Sequence, residues 1–450
     1  MTAQKEAPLP HALMHQHVAD IVEYMNDQPL PQIIDMVARL PPIWAIEVLD
    51  YADFTAASSV IEALPIDRAV ILLEGMSADR ATDVLAQIEE PRREALQNAL
   101  SPDTRRSLQQ LLSYPEGTAG SLMTTEFVSV PADWTARQTL DHIRTVEASR
   151  ETVYAIFVLD PVTRKLVQTI RLAQLISADP DANILSLTRG RPAPITTGPM
   201  TDREIVARQI SRYDLLAIPV IDSTGHMLGI VTVDDAIDAI LAETTEDAQK
   251  MGGMEALHEP YMQIGFGKMI QKRAGWLGIL FLSEMLTASA MQHFADELEQ
   301  AIVLALFIPL VMSSGGNSGS QATSLIIRAL AMQEVRLRDW FRVAVRELPT
   351  GITLGAILGI IGIVRIALWQ WLGLFDYGEH WILVALAIGT SLVGIVTFGS
   401  LTGSMLPFIL KRVGFDPASA SAPFVATLVD VTGIVIYFSI AYMFLRGTLL

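Results

Sequence analysis

The chain runs to 450 residues, 51% of them hydrophobic, yet it carries 49 Asp+Glu against 32 Lys+Arg, for a formal charge of −17. The imbalance sits in one half: there are 20 Lys+Arg and 38 Asp+Glu up to residue 264, and 12 and 11 from residue 265 onward. An acidic half joined to a nearly uncharged apolar half excludes a single globular domain and a nucleic-acid binder, which needs a basic footprint, and the absence of cysteine excludes disulfides, thiolate metal sites and cysteine nucleophiles.

The opening MTAQKEAPLPHALMHQH has no basic flank followed by an apolar core. No signal peptide is expected, residues 1–19 are expected to be a flexible N-terminus, and the acidic half is expected to stay in the cytoplasm. Residues 20–118 read as a stack of short helices broken by Pro, Gly and capping residues, as in LPIDRAVILLEGM, SADRATDVLAQI, EPRREALQNAL and SPDTRRSLQQLL. DRA recurs at 67–69 and 79–81, and Ser77 and Ser101 stand where N-caps belong. Asp79 and Asp83, four apart, share one helical face and repel unless a cation lies between them. Read as ordinary surface charges, they and Glu47 are merely solvated.

Residues 121–242 contain an internal repeat. VYAIFVLDPVTRKLVQTIRLAQLI at 153–176 matches LLAIPVIDSTGHMLGIVTVDDAIDAI at 215–240 in pattern, with an apolar strand ending at Asp160 or Asp222, a polar turn, and a second strand running into a helix. Amphipathic helices are expected before each unit, at 133–147 and 201–213, which gives two α/β modules packed together over 119–183 and 184–242. A linking helix is expected over 243–268. Asp234, Asp235, Asp238, Glu243, Glu246 and Asp247 carry the acidic character into it. Carboxylates in this number, with no cysteine and no histidine cluster, suit hard, oxygen-seeking cations such as Mg²⁺ or Ca²⁺.

Residues 269–450 are expected to form an all-α transmembrane domain of five helices. Apolar stretches at about 274–293, 300–330, 348–372, 380–410 and 421–445 each meet the ~20 residues a bilayer core demands. Lys268, Lys272 and Arg273 precede the first; Arg328, Arg336, Arg338, Arg342 and Arg346 lie around the second connection; Lys411 and Arg412 lie in the fourth. The loops DELEQ and DYGEH hold no Lys or Arg. Positive charge alternates with each crossing, so the N-terminus is expected inside and the C-terminus outside.

Two features inside the spans need a reason. PLVMSSGGNSGSQATS at 309–324 puts small and polar residues at membrane depth, where loose polar groups must face protein or water. Small residues alone suit close helix packing, whereas the amides of Asn317 and Gln321 go beyond what packing requires. Asp430 falls about 14 Å along the fifth helix, near the middle of a ~30 Å core, where a carboxylate costs roughly 2.5–3.5 kcal/mol. Such a group normally faces a cavity, so ion binding is expected of it. Glu284 and Arg365 also carry charge at depth; either they neutralise one another or Arg365 snorkels outward.

The order of parts resembles the MgtE family of magnesium channels: helical N domain, tandem CBS modules, linking helix, five membrane spans. GIVTVDDAID at 229–238 is close to the closing motif of a CBS module. PLVMSSGGNSGSQA and LPFILKRVGFDPASASAPFVATLVDVTG at 406–433 are the specific signals. The resemblance implies a homodimer in a bacterial inner (plasma) membrane with one pore on the two-fold axis, where paired Asp430 carboxylates hold hydrated Mg²⁺. Gly315, Gly316, Asn317, Gly319, Gln321 and Ala426 would line the path. It also implies a Mg²⁺ sensor built from Glu47, Asp79, Asp83, Glu204, Asp214, Asp235, Asp238, Glu246, Asp247 and Asp416.

Three departures qualify this. Gln263 stands where some relatives carry a linking-helix carboxylate, and Ala422 where an Asn precedes the span-five proline. Ala155, Ala173 and Gln174 replace the Tyr, Arg and Asp of a nucleotide cleft, so ATP binding is expected to be weak or absent. The expected function is a Mg²⁺ channel closed by internal Mg²⁺, with no covalent chemistry and no P-loop to drive a pump. The alternatives are a secondary transporter exchanging a divalent ion for H⁺ or Na⁺ through Asp430 and Glu284, and a membrane sensor that does not conduct.

Overall fold

The computed structural model describes residues 16–146, 152–257, 261–262 and 264–449. The expected flexible N-terminus therefore lies almost wholly outside the described residues, as does Gln263. The chain divides into two compact units, Met1–Ala242 and Glu243–Leu450.

The first unit opens with short helices α1 Val18–Asn26, α2 Leu30–Arg39, α3 Pro42–Asp50, α4 Ala57–Ala63, α5 Ile66–Gly75, α6 Ala78–Gln87, α7 Arg92–Ala99 and α8 Pro102–Leu112. Five of them end on an apolar residue in extended conformation, namely Leu40, Leu64, Met76, Ile88 and Leu100. Each of these side chains is buried, and a Pro or Ser then re-enters the next helix, so burial rather than a glycine turn redirects the chain. Each helix packs on the one two places along, α1 on α3 through to α6 on α8, which makes a stack with a two-helix repeat. Arginines tie the rungs together. Arg68 donates to Leu40 O at 2.6 Å and Arg92 to Leu64 O, 24 residues further on, so the twelve-residue DRA spacing is half of the structural repeat. Ser101 caps α8 as expected, its Oγ accepting from Thr104 N. Ser77 does not cap α6; its hydroxyl donates to Asp50 instead, at 2.8 Å.

The two expected modules follow. In the first, β1 Phe127–Pro131 pairs in parallel with β2 Thr152–Leu159, and β2 pairs antiparallel with β3 Leu166–Arg171, with Ile156 opposite Ile170. Helix α9, Ala136–Val146, crosses between β1 and β2, and α10, Leu172–Ile176, follows β3. The second repeats this plan with α11 Arg203–Tyr213, β4 Ala217–Ile221, β5 Met227–Thr232 and α12 Val233–Met251, and Thr197 bridges in parallel to Val220 in the place of β1. Asp160 and Asp222, expected at the strand ends, hold the two turns: Asp160 accepts from Val162 N and Thr163 N, and Asp222 from Thr224 N and His226 N.

The linking segment differs from its expected bounds. The last helix of the second module continues without a break to Met251, turns at Gly252–Gly253, and the next helix begins at Phe266 as the first span. A run of residues with good helix propensity and no capping signal between 233 and 251 explains the continuity.

Among the described residues, five helices are long and apolar enough to cross a membrane: Phe266–His293, Ile302–Ala331, Leu337–Trp371, Trp381–Val413 and Ala422–Leu445, called here spans one to five. Spans two, three and five pack on span four, and spans one and four also touch span five or its neighbours. The contacts run through small residues. A methyl group built on Gly399 or Gly403 of span four would overlap the Gly315 or Gly319 carbonyl of span two, and on Gly355 of span three it would stand 2.6 Å from Val393 Cα. Hydroxyls seal the same seam: Ser318 Oγ lies 2.8 Å from Ser400 Oγ, and Thr323 donates to Gly403 O at 2.9 Å. In lipid, where apolar burial between helices gains little, such close backbone approach and interhelical hydrogen bonds are what hold a bundle. The expected Glu284–Arg365 neutralisation is absent among the described residues. Arg365 lies over the rings of Phe307 and Trp369, at 5.6 and 5.2 Å from their centroids, which gives it a cation–π seat instead.

Candidate functional site

Within the first unit, the end of α3, the start of α6 and the first turns of α12 enclose a cavity of about 540 Å³. Asp50, Asp53, Asp79, Asp83, Asp235 and Asp238 line it, with Asp234, Arg80 and Arg203. Helical periodicity accounts for the aim: Asp79 and Asp83 are one turn apart on α6, as are Asp234 and Asp238 on α12. Arg80 is the local cation that the Asp79–Asp83 pair requires. It is anchored by donating to Leu49 O, Tyr51 O and Phe54 O, and it interacts with Asp83, Asp50, Asp79 and Asp238.

The acids outnumber the cations, and the electrostatics record it. Loss of surrounding water, then the charges of Asp79 and Asp234, push the Asp235 carboxyl up to about 7 against two hydrogen bonds from Thr232. Asp83 lines the cavity while remaining partly open to solvent; desolvation pushes it up to about 6, with Arg80 opposing and Glu116 adding. Asp238 is raised by desolvation and by Asp53 and Asp234, and Asp50 by desolvation that outweighs its bonds from Ser77. A cluster of carboxylates that cannot all ionise comfortably is relieved either by protons or by a multivalent cation.

Three residues expected to join this set do not line the cavity. Glu47 is exposed on α3, Glu204 accepts from Arg208 one turn along α11, and Asp214 is the exposed left-handed residue that ends α11 at φ 51°. Asp50, Asp53, Arg80 and Arg203 do line it and were not anticipated.

Within the second unit, Glu246, Asp247 and Asp416 lie together, and a lysine stands among them. Lys250 Nζ lies 2.6 Å from Glu246 Oε1 and 2.6 Å from Asp416 Oδ2. These two hydrogen bonds raise the Lys250 ammonium above the usual lysine range despite desolvation. Asp247, desolvated and facing Asp416, Glu243 and Glu246, is pushed up to about 6. Asp416 also accepts from Ala418 N, which fixes the turn before span five. Among the described residues no three Asp, Glu or His side chains already converge closely enough to ligate one ion. The donors are nonetheless all carboxylate oxygens, the chemistry a hard divalent cation takes.

Along the spans, Gly315 packs on Ile395 and Val429, Gly316 on Ala426 and Gly319 on Val425, so these glycines lie against neighbouring helices. The open side of span two carries Ser313, Asn317 and Gln321, one turn apart and exposed, with Asn317 Nδ2 3.4 Å from Ser313 Oγ. Ala422 O accepts from Ser320 Oγ at 3.2 Å, which ties the start of span five to span two. Because Val429 meets Gly315, Asp430 stands level with Ser313–Asn317. It is half-buried, and it interacts with the like charge of Glu284 in span one.

Of the residues expected to replace a nucleotide-binding set, Ala173 and Gln174 do line a cavity with Tyr154, Arg171 and Leu216, whereas Ala155 is buried in β2. Gln174 Oε1 is taken up by Arg171 N and Arg191.

A divalent cation transporter (MgtE) family model matches residues 308–440, an MgtE intracellular N domain model 16–117, and a CBS domain model 190–242. The magnesium transporter MgtE of Thermus thermophilus is 39% identical over 79% of this chain and 76% of its own length. That of Enterococcus faecalis is 36% identical over 75% and 72%. A crystal structure of the cytosolic domain of the Mg²⁺ channel MgtE in complex with ATP is 31% identical over 51% of this chain and 93% of that one, with a TM-score of 0.48.

Proposed function

The chain belongs to the MgtE family of magnesium transporters, and on that premise we propose that it conducts Mg²⁺ as a channel. The family is one of transporters and not of enzymes. The observation that carries the channel reading is the polar stripe Ser313–Asn317–Gln321, exposed on one chain at membrane depth and level with Asp430. Lipid cannot satisfy two amides and a carboxylate, so a second copy of the chain and a water-filled path must face them. Two Asp430 carboxylates across a two-fold axis would then attract Mg²⁺ without stripping it, which fits an ion that keeps several waters. Ala426, one turn from Asp430, and Gly315, Gly316 and Gly319 shape that path by letting spans two and five approach closely. The alternation of Lys and Arg supports an inner-membrane orientation with the N-terminus cytoplasmic and the C-terminus external.

The carboxylates of the aspartate-lined cavity and the Glu246–Asp247–Asp416 group form the sensor in this reading. When internal Mg²⁺ is scarce they repel; when it is abundant it bridges them and favours the closed form, by no more than its differential affinity for that form. Glu47, Glu204 and Asp214 lie outside the cavity and enter the sensor only through surfaces that a partner copy would supply. Nucleotide regulation is weak or absent: among the described residues, the Tyr154–Arg171 cavity has no acidic lining residue to take a ribose.

Single-channel recording of the purified protein, with Mg²⁺ stepped on the cytoplasmic side, tests the proposal. Unitary currents reversing at the Mg²⁺ potential and shutting as internal Mg²⁺ rises are expected. Asp430→Ala should abolish flux while folding and dimer formation persist; unchanged flux would remove Asp430 from the pore. A reversal potential that tracks an H⁺ or Na⁺ gradient would establish the exchanger instead.

A further inference from the structure

Span four ends at Val413 with Lys411 and Arg412 in its last turn, and the 3₁₀ turn Leu337–Asp339 leads into span three. Between them lies a second cavity of about 540 Å³, lined by Leu337, Arg338, Trp340, Phe408, Ile409 and Arg412 among others. Its floor is apolar and firm: Phe408 is buried with Ile326 and Leu330, and Met405 packs beside it. Among the described residues its two charges are both guanidinium groups, and no carboxylate lines it. Asp339, the nearest acid in sequence, is engaged elsewhere, accepting from Arg336 N at 3.0 Å and facing Arg342 at 4.0 Å. Neither Arg338 nor Arg412 makes an ion pair among the described residues.

Cavity shape and charge together specify an amphiphile. Paired guanidiniums present forked donors that fit the oxygens of a phosphate. A soluble anion would satisfy them but leave the Phe408–Ile409 floor against water, and a neutral lipid would cover the floor but leave two cations without a counter-ion. Trp340, half-exposed at the rim, is the residue type that sits at a headgroup boundary. The pocket also lies at the span end richest in Lys and Arg, where a leaflet with anionic lipid is attracted. We propose that it is a binding site for an anionic glycerophospholipid of the adjoining leaflet, with the phosphate between Arg338 and Arg412 and an acyl chain along Phe408 and Ile409. The site stands apart from the ion path, and it requires only that the chain spans a membrane.

Native mass spectrometry of the full-length protein, titrated with phosphatidylglycerol or phosphatidylcholine, tests this. The wild type should retain phosphatidylglycerol over phosphatidylcholine by on the order of thirtyfold, each of the two guanidiniums adding to the attraction. Arg338→Gln with Arg412→Gln should erase that preference, and Arg338→Lys with Arg412→Lys should keep part of it. Equal retention of both lipids by the wild type overturns the proposal whether or not the Gln variant folds. So does an undiminished preference in the folded Gln variant, or release of the lipid by excess inorganic phosphate, which would mark the pocket as a plain anion site.

Discussion

Arg80 and Lys250 do the same job in the two units, each supplying one positive charge to a group of acids that needs more. The deficit predicts how the protein responds to pH. Asp83 and Asp235 titrate near 6 and 7, above the ordinary value of 3.8, so between about pH 4 and pH 7 the folded chain holds more protons than the unfolded one. Stability in the absence of divalent ions should therefore fall as pH rises through that window. Mg²⁺ competes with those protons, so the stabilisation it confers should grow over the same range. Thermal unfolding of the full chain in detergent, with chelator or with Mg²⁺, should show curves that lie close together near about pH 5 and separate by several degrees near about pH 8. Parallel curves would mean that no cation site shares those carboxylates. Part of this was readable in advance. The i,i+4 placement of Asp79–Asp83 follows from sequence, and so does that of Glu246–Lys250, though its partner Asp416 is 166 residues away. Asp50 and Asp53 carried no local signal, because only the meeting of the end of α3 with the start of α6, through Ser77–Asp50 and Arg80–Leu49 O, brings them to the cavity.

At the level of elements, the glycines of the spans separate into those in contact and those in the open. Gly399 meets the Gly315 carbonyl, whereas Gly278 of span one has nothing within 4 Å of where a Cβ would stand. Gly399→Ala should therefore destabilise the bundle by about 1–3 kcal/mol, the cost of overpacking a close contact, and Gly278→Ala should be neutral or slightly favourable in a helix. Thermal unfolding in detergent of the two variants side by side checks this; equal midpoints would show that spans two and four yield at little cost. The spans themselves were legible because hydropathy over ~20 residues is a strong signal. Their ends were not. Span three starts earlier than its apolar stretch because Arg342, Arg346 and Glu347 continue the same helix beyond the hydrophobic run. The linking helix was misjudged for a related reason: polar residues without a cap or a proline do not stop a helix, so α12 runs on through Glu243.

For the whole molecule, the sequence was informative wherever a pattern repeats or persists: the two α/β modules, the short-helix stack, and the five spans. It was least informative where distant segments meet, which is why the seat of Arg365 on Phe307 and Trp369 is not legible in the sequence. The seam between spans two and four has one more consequence. Because the chain has no cysteine, any thiols introduced into it are the only thiols present. Ser318 and Ser400, whose hydroxyl oxygens lie 2.8 Å apart, thus offer a ready place to weld the two helices covalently. If spans two and four move as one block, oxidising Ser318→Cys with Ser400→Cys should leave both Mg²⁺ flux and its shut-off intact. Flux that stops on oxidation and returns on reduction would instead locate the working motion at that joint.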